Sequence, residues 1–182
     1  MRSHLRHLNS MALLTGLSLI LFVIEAQIPP PLPLPGVKVG LANVVTVYAA
    51  YRYGLRDAFL ILVARIFLAG IFAGQAPALL YSLSGGLLCL PGMAVLRHWL
   101  PLRGLYLASI AGAILHNTGQ IAAAVLMIGT EAAILYWPPL ALAGGAAGAL
   151  TGLAAQYMLL RFSHVFTYAA GEQKFVYQEG QK

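Results

Sequence analysis

Acidic residues are nearly missing from this sequence: among 182 residues only five are acidic, and Asp57 is the one aspartate. A single aspartate cannot supply the paired carboxylates that hold magnesium against a diphosphate. Cysteine is equally scarce. Cys89 alone excludes an internal disulfide framework, a CxxC pair and a cysteine-held metal or iron–sulfur centre. There is no Walker loop, no HExxH and no GxSxG, so the chain lacks a nucleotide site of its own and the signatures of the common hydrolases. It is expected not to be an enzyme, and His116 by itself makes a poor metal site. Charged residues amount to 9%, where soluble domains carry roughly a quarter.

What fills the sequence instead is apolar surface. Hydrophobic residues make up 60%, which places the chain in lipid rather than water. Six apolar stretches, near residues 8–26, 37–53, 57–74, 77–99, 105–130 and 132–162, approach the length needed to cross roughly 30 Å of hydrocarbon. The expected fold is an all-α integral membrane protein, a bundle of about six transmembrane helices. A single transmembrane domain over 1–162 would be followed by a short polar cytoplasmic tail, 163–182. Pro138-Pro139 suggests that the last stretch begins with a kinked or re-entrant turn.

The eleven basic residues are scattered rather than gathered in one stripe, a poor footprint for nucleic acid. They fit a membrane orientation better. With the N-terminus inside, Arg2, Arg6, Arg52, Arg56, Arg97, Arg103, Arg161, Lys174 and Lys182 all fall on the cytoplasmic side, Lys38 falls outside, and Arg65 lies within a span. Cytoplasmic retention of Lys and Arg then favours an even number of spans with both termini inside, in a bacterial cytoplasmic membrane. The other reading of the first stretch is a signal peptide ending near Ala26, since Arg2 and Arg6 precede its apolar run.

Ionisable groups inside a bilayer cost about 2.5–3.5 kcal/mol each on insertion scales, so each one calls for a partner or a function. Helical rise puts Arg65 roughly 12 Å beyond Asp57, His116 roughly 16 Å beyond Leu105 and Asn43 roughly 9 Å in from Val37. These groups, with Glu25 and Lys38 flanking the proline-rich segment, can face one outward-opening cavity. Gln120 lies one turn from both His116 and Asn117, collecting an imidazole and two amides on one side of a helix. That cluster either recognises a polar ligand or only locks the bundle. Arg65 either pairs with Glu25 or binds an anionic group. Lys38 either caps the cavity or snorkels from a rigid connector. Because Lys38 and Arg65 outnumber Glu25, the expected ligand is anionic or strongly electron-rich, held by Lys38 and Arg65 and oriented by Asn43, His116, Asn117 and Gln120.

Gly85-Gly86 with Ser82 and Ser84 is read mainly as a site of close helix approach, and Gly144, Gly148 and Gly152 as a GxxxG-type surface whose partner spacing alone does not identify. Ala12 and Gly16 form a weaker pair of the same kind.

Three segments taken together, Pro35-Gly36-Val37-Lys38-Val39-Gly40-Leu41-Ala42-Asn43, Ser82-Leu83-Ser84-Gly85-Gly86-Leu87, and Gly112-Ala113 with His116-Asn117 and Gly119-Gln120, resemble the Gx transporter family. That family also bears the name heptaprenyl diphosphate synthase component I and is similar to the substrate-binding S-components of energy-coupling factor transporters. The resemblance runs from about Glu25 to Arg161. It implies a membrane-embedded substrate-binding component that borrows ATPases and a coupling membrane subunit from partners. The synthase name implies the alternative: a non-catalytic membrane partner in quinone or polyprenyl diphosphate metabolism, or in a flavin-linked electron-transfer assembly. Cys89 departs from the family pattern, where serine is expected. Neither substrate nor cofactor can be named from the sequence.

Overall fold

The computed structural model describes residues 2–28, 40–73, 76–129 and 132–161. Lys38, the proline-rich segment, Glu131 and the polar tail lie outside them. The described residues are helical: α1 (Arg2–Gln27), α2 (Leu41–Arg52), α3 (Leu55–Ala73), α4 (Ala76–Trp99), a 3-10 turn (Leu102–Gly104), α5 (Leu105–Ile128), the single turn α6 (Ala132–Leu135) and α7 (Trp137–Arg161). The expected break before the last helix falls at Tyr136. Pro138 and Pro139 then occupy the first turn of α7, where the missing N–H costs nothing.

Four of these helices are long and apolar enough to cross a membrane, over His4–Gln27, Leu79–Trp99, Leu102–Met127 and Trp137–Arg161. The 19-residue α3 has the length but carries Arg56, Asp57 and Arg65. The 12 residues of α2 reach only about 18 Å. Exposed leucines, isoleucines and valines cover the outer faces of the bundle, Leu13, Ile71, Val95, Leu126 and Leu142 among them. That is the expected inversion for helices solvated by lipid rather than by water.

Successive long helices pack antiparallel, and α2, α3, α4, α5 and α7 close a circuit, α7 returning to α2, while α1 lies against α2 and α3. The glycines set how close they come. A Cβ on Gly119 would lie 2.5 Å from the backbone oxygen of Ser84, and one on Gly148 would lie 2.8 Å from that of Ser109. Both seams, α4 on α5 and α5 on α7, therefore need glycine. The GxxxG face of α7 thus has its partner within this chain. Gly16 on α1 has nothing within 4 Å.

Because the helices alternate in direction, Arg52, Arg56, Arg97, Arg103 and Arg161 gather at one end of the bundle. Contacts there agree: His7 of α1 lies 3.3 Å from Asp57 of α3, and Arg97 of α4 donates to the carbonyl of Ala50 in α2 at 2.8 Å while its guanidinium covers the Tyr51 ring. An arginine capping the last turn of α2 meets orphan carbonyls at the negative end of the helix.

Candidate functional site

The polar groups inside the bundle converge on the first turns of α2. Gly40 caps that helix in the left-handed region, φ 80°, which glycine adopts without steric cost. Its N–H donates to a carboxylate oxygen of Glu25 from α1, so a negative charge sits at the positive end of α2. From the other side Arg65 of α3 donates through Nη2 to Oδ1 of Asn43 at 3.3 Å. Glu25 is 8% exposed and Arg65 is 6% exposed. The field of Glu25 reaches Arg65, yet no direct ion pair joins the two. Opposite charges from α1 and α3 instead clamp the start of α2 between them. Arg65 keeps a buried Nε with no hydrogen-bond partner.

A small cavity of about 30 Å³ lies beside this clamp, bounded by all five helices of the circuit. Its polar lining is Asn43 and Thr46 from α2, Cys89 from α4, Ser109 and His116 from α5, and Thr151 from α7. Asn43 therefore belongs both to the clamp and to the cavity. The Ser109 and Thr151 hydroxyls lie 3.2 Å apart, and the sulfur of Cys89 is 3.7 Å from that of Met93.

His116 rests on the bare backbone of Gly85, where a Cβ would meet its ring at 2.8 Å. Gln120, one turn on, lies within 3.2 Å of its Nε2, which fixes the ring's plane. Asn117 turns elsewhere. It is 9% exposed, donates to the carbonyl of Leu140 at 2.7 Å, and covers Gly144 of α7. The cluster of His116, Asn117 and Gln120 thus divides: His116, with Gln120 bonded to it, rests on α4, and Asn117 locks α7. Of the residues named from sequence, Asn43 and His116 line the cavity, Arg65 and Gln120 each bond one of these two, and Lys38 lies outside the described residues.

Thr46, Ser109 and Thr151 were not singled out. Their spacing carried a usable signal: Thr46 follows Asn43 by three residues and Ser109 precedes His116 by seven, about one and two helical turns. Among the described residues no group of three or more His, Cys, Asp or Glu side chains could hold a metal ion.

No curated protein and no solved structure matches the chain. The family model described as heptaprenyl diphosphate synthase component I matches residues 14–158, from the middle of α1 almost to the end of α7. The whole polar centre lies within that match, and the chain belongs to this family.

Proposed function

We propose that the protein is a membrane-embedded, non-catalytic binding component, which holds a small anionic molecule within its bundle and relies on partner proteins for any energy source. In this reading six helices cross a bacterial cytoplasmic membrane with both termini and the arginine-rich end inside. The observation that carries it is Arg65, buried in the bundle with an unpartnered Nε and one long hydrogen bond, to Asn43. A guanidinium has five donors in a fixed fork; most of that capacity stays available for a carboxylate or phosphate. Asn43, His116 and Gln120 would orient the ligand, with Lys38 as a second cation. The cavity of about 30 Å³ holds about two waters and is far below the few hundred Å³ of a pocket for a drug-sized molecule. Binding therefore requires helices to part.

A second reading is favoured by the family description, which names a component of a synthase, and by that small cavity. The protein would then be a non-catalytic membrane partner of a soluble prenyl synthase or of an electron-transfer assembly. Native mass spectrometry of gently extracted protein separates the two. A bound small anion supports the binding component, and a bound quinone or prenyl lipid, or a stable complex with a synthase, supports the partner role. Empty protein in a fixed complex of other composition would sink both and leave a structural subunit.

A further inference from the structure

Arg97 commits its guanidinium inside the bundle, to the carbonyl of Ala50 and the ring of Tyr51. Other arginines at the same end do not. Arg56, Arg103 and Arg161 are exposed and make no hydrogen bond or ion pair among the described residues. Arg56 and Leu60 lie four residues apart on α3, and Tyr157 and Arg161 four apart on α7, so each pair shares one face of its helix. Leu60 and Tyr157 are exposed as well. The two helices run in opposite directions, and in both the arginine is the member nearer the end of the bundle.

The connection from α4 to α5 repeats the pairing with a larger ring. Trp99, the last residue of α4, is 80% exposed and precedes Arg103 by four residues. Backbone bonds from Leu100 to Leu96 and from Gly104 to Pro101 shape the short turn between them. The span that ends at Trp99 begins at Leu79 and has 21 residues, about 32 Å of helix, against roughly 30 Å of hydrocarbon. A span of that length puts Trp99 at the boundary of chains and headgroups, the depth that tryptophan favours. Arg103, just beyond it, reaches the level of lipid phosphates.

This placement favours lipid over an acidic protein. A docked protein would meet charges gathered on the end of the bundle, whereas these arginines stand at its rim, each next to an exposed apolar or aromatic side chain. Charge selects the headgroup. Asp57, the acidic residue described at this end, already has His7 at 3.3 Å, so the excess charge is positive and favours a headgroup without an ammonium of its own.

We propose that the arginine-rich rim binds anionic phospholipid, the phosphodiester held by the guanidinium fork of Arg103 beside Trp99, with Arg56 and Arg161 as further contacts of the same kind. The site is independent of any ligand at Arg65.

Fluorescence of Trp99 tests it, in full-length Trp137→Phe reconstituted in equimolar phosphatidylglycerol and phosphatidylcholine, with one lipid or the other carrying brominated chains. Brominated phosphatidylglycerol should quench more strongly than brominated phosphatidylcholine, and high salt should narrow the difference. One arginine near an anionic surface is worth about fivefold in binding. Arg103→Gln should therefore lower the preference by about that factor, and Arg103→Lys should keep most of it. Arg6→Gln removes the same charge from α1 and should lower it much less. In the parent chain, native mass spectrometry should show phosphatidylglycerol retained over phosphatidylcholine. Equal quenching or equal retention of the two lipids overturns the site, and equal values with capture of an acidic soluble protein assign the arginines to protein docking instead. A preference that Arg6→Gln lowers as much as Arg103→Gln also overturns it, because diffuse surface charge would then account for the binding.

Discussion

The imidazole of His116 lies over the Cα of Gly85, its ring atoms 2.8 Å from where a side-chain carbon would begin. A residue of α4 with no side chain thereby makes room for the one histidine on α5. Gly85→Ala should displace the ring from the cavity and destabilise the protein by about 1–3 kcal/mol, as overpacking does. Gly119→Ala should be worse, because its Cβ would meet backbone atoms of Ser84 at 2.5 Å rather than a side chain able to rotate. Gly16→Ala has nothing within 4 Å and should be neutral or slightly stabilising. Thermal unfolding of the three variants in one detergent checks the order.

Arg65 and Glu25 give a second prediction. Neutralising either one leaves a buried charge without its opposite, which costs about 3–5 kcal/mol in comparable soluble cases. Replacing both, by Glu25→Gln with Arg65→Met, should restore folding that each single change loses. If Arg65 holds the anionic ligand, the folded double variant should still carry none by native mass spectrometry. Retention of the same bound anion would end the anion-site reading.

Asn117 separates packing from binding. Asn117→Ala removes the hydrogen bond to Leu140 and should cost about 1–2 kcal/mol of stability. Since the side chain faces α7 and not the cavity, ligand occupancy should persist in the surviving folded fraction. Asn43→Ala should do the reverse, with the larger loss in occupancy, because Asn43 lines the cavity and accepts from Arg65.

Orientation is tested by cysteines placed beside Arg52, Arg97, Lys182 and Glu131 in a background with Cys89→Ala. The first three should be shielded from a membrane-impermeant thiol reagent in intact cells, and the fourth should react. Labelling beside Lys182 from outside would refute an even number of spans.

How far the site could be read in advance depended on residue chemistry. Arg65 and His116 stand out of apolar runs, so their cost in lipid marks them. Six apolar stretches are also legible, whereas the 12-residue length of α2, set by Gly40 in the left-handed region, is not. Thr46, Ser109 and Thr151 carry little signal because a hydroxyl in a helix usually satisfies itself locally, although the Thr46 Oγ1 has no hydrogen-bond partner. His116 and Asn117 were grouped together, yet adjacent helical residues point about 100° apart. Which neighbour each would meet depends on the positions of α4 and α7. The spacing of the α7 glycines marks a contact surface, and their partner, α5, emerges only in three dimensions.

The glycine seams make the bundle mechanically uneven. At Gly119, Gly148 and Gly152 the neighbours include backbone atoms of Ser84, Ser109 and Tyr106, which have no rotamers through which to yield, whereas Gly85, Gly92, Gly112 and Gly144 on the same seams meet side chains. Between α3 and α4 the same kind of glycine meets the branched ends of Leu62 and Leu79, which can swing aside. The least yielding points of the bundle are therefore the places where α5 crosses α4 at Ser84 and α7 at Ser109, and larger substitutions will be tolerated better on the α3–α4 seam than at these two crossings.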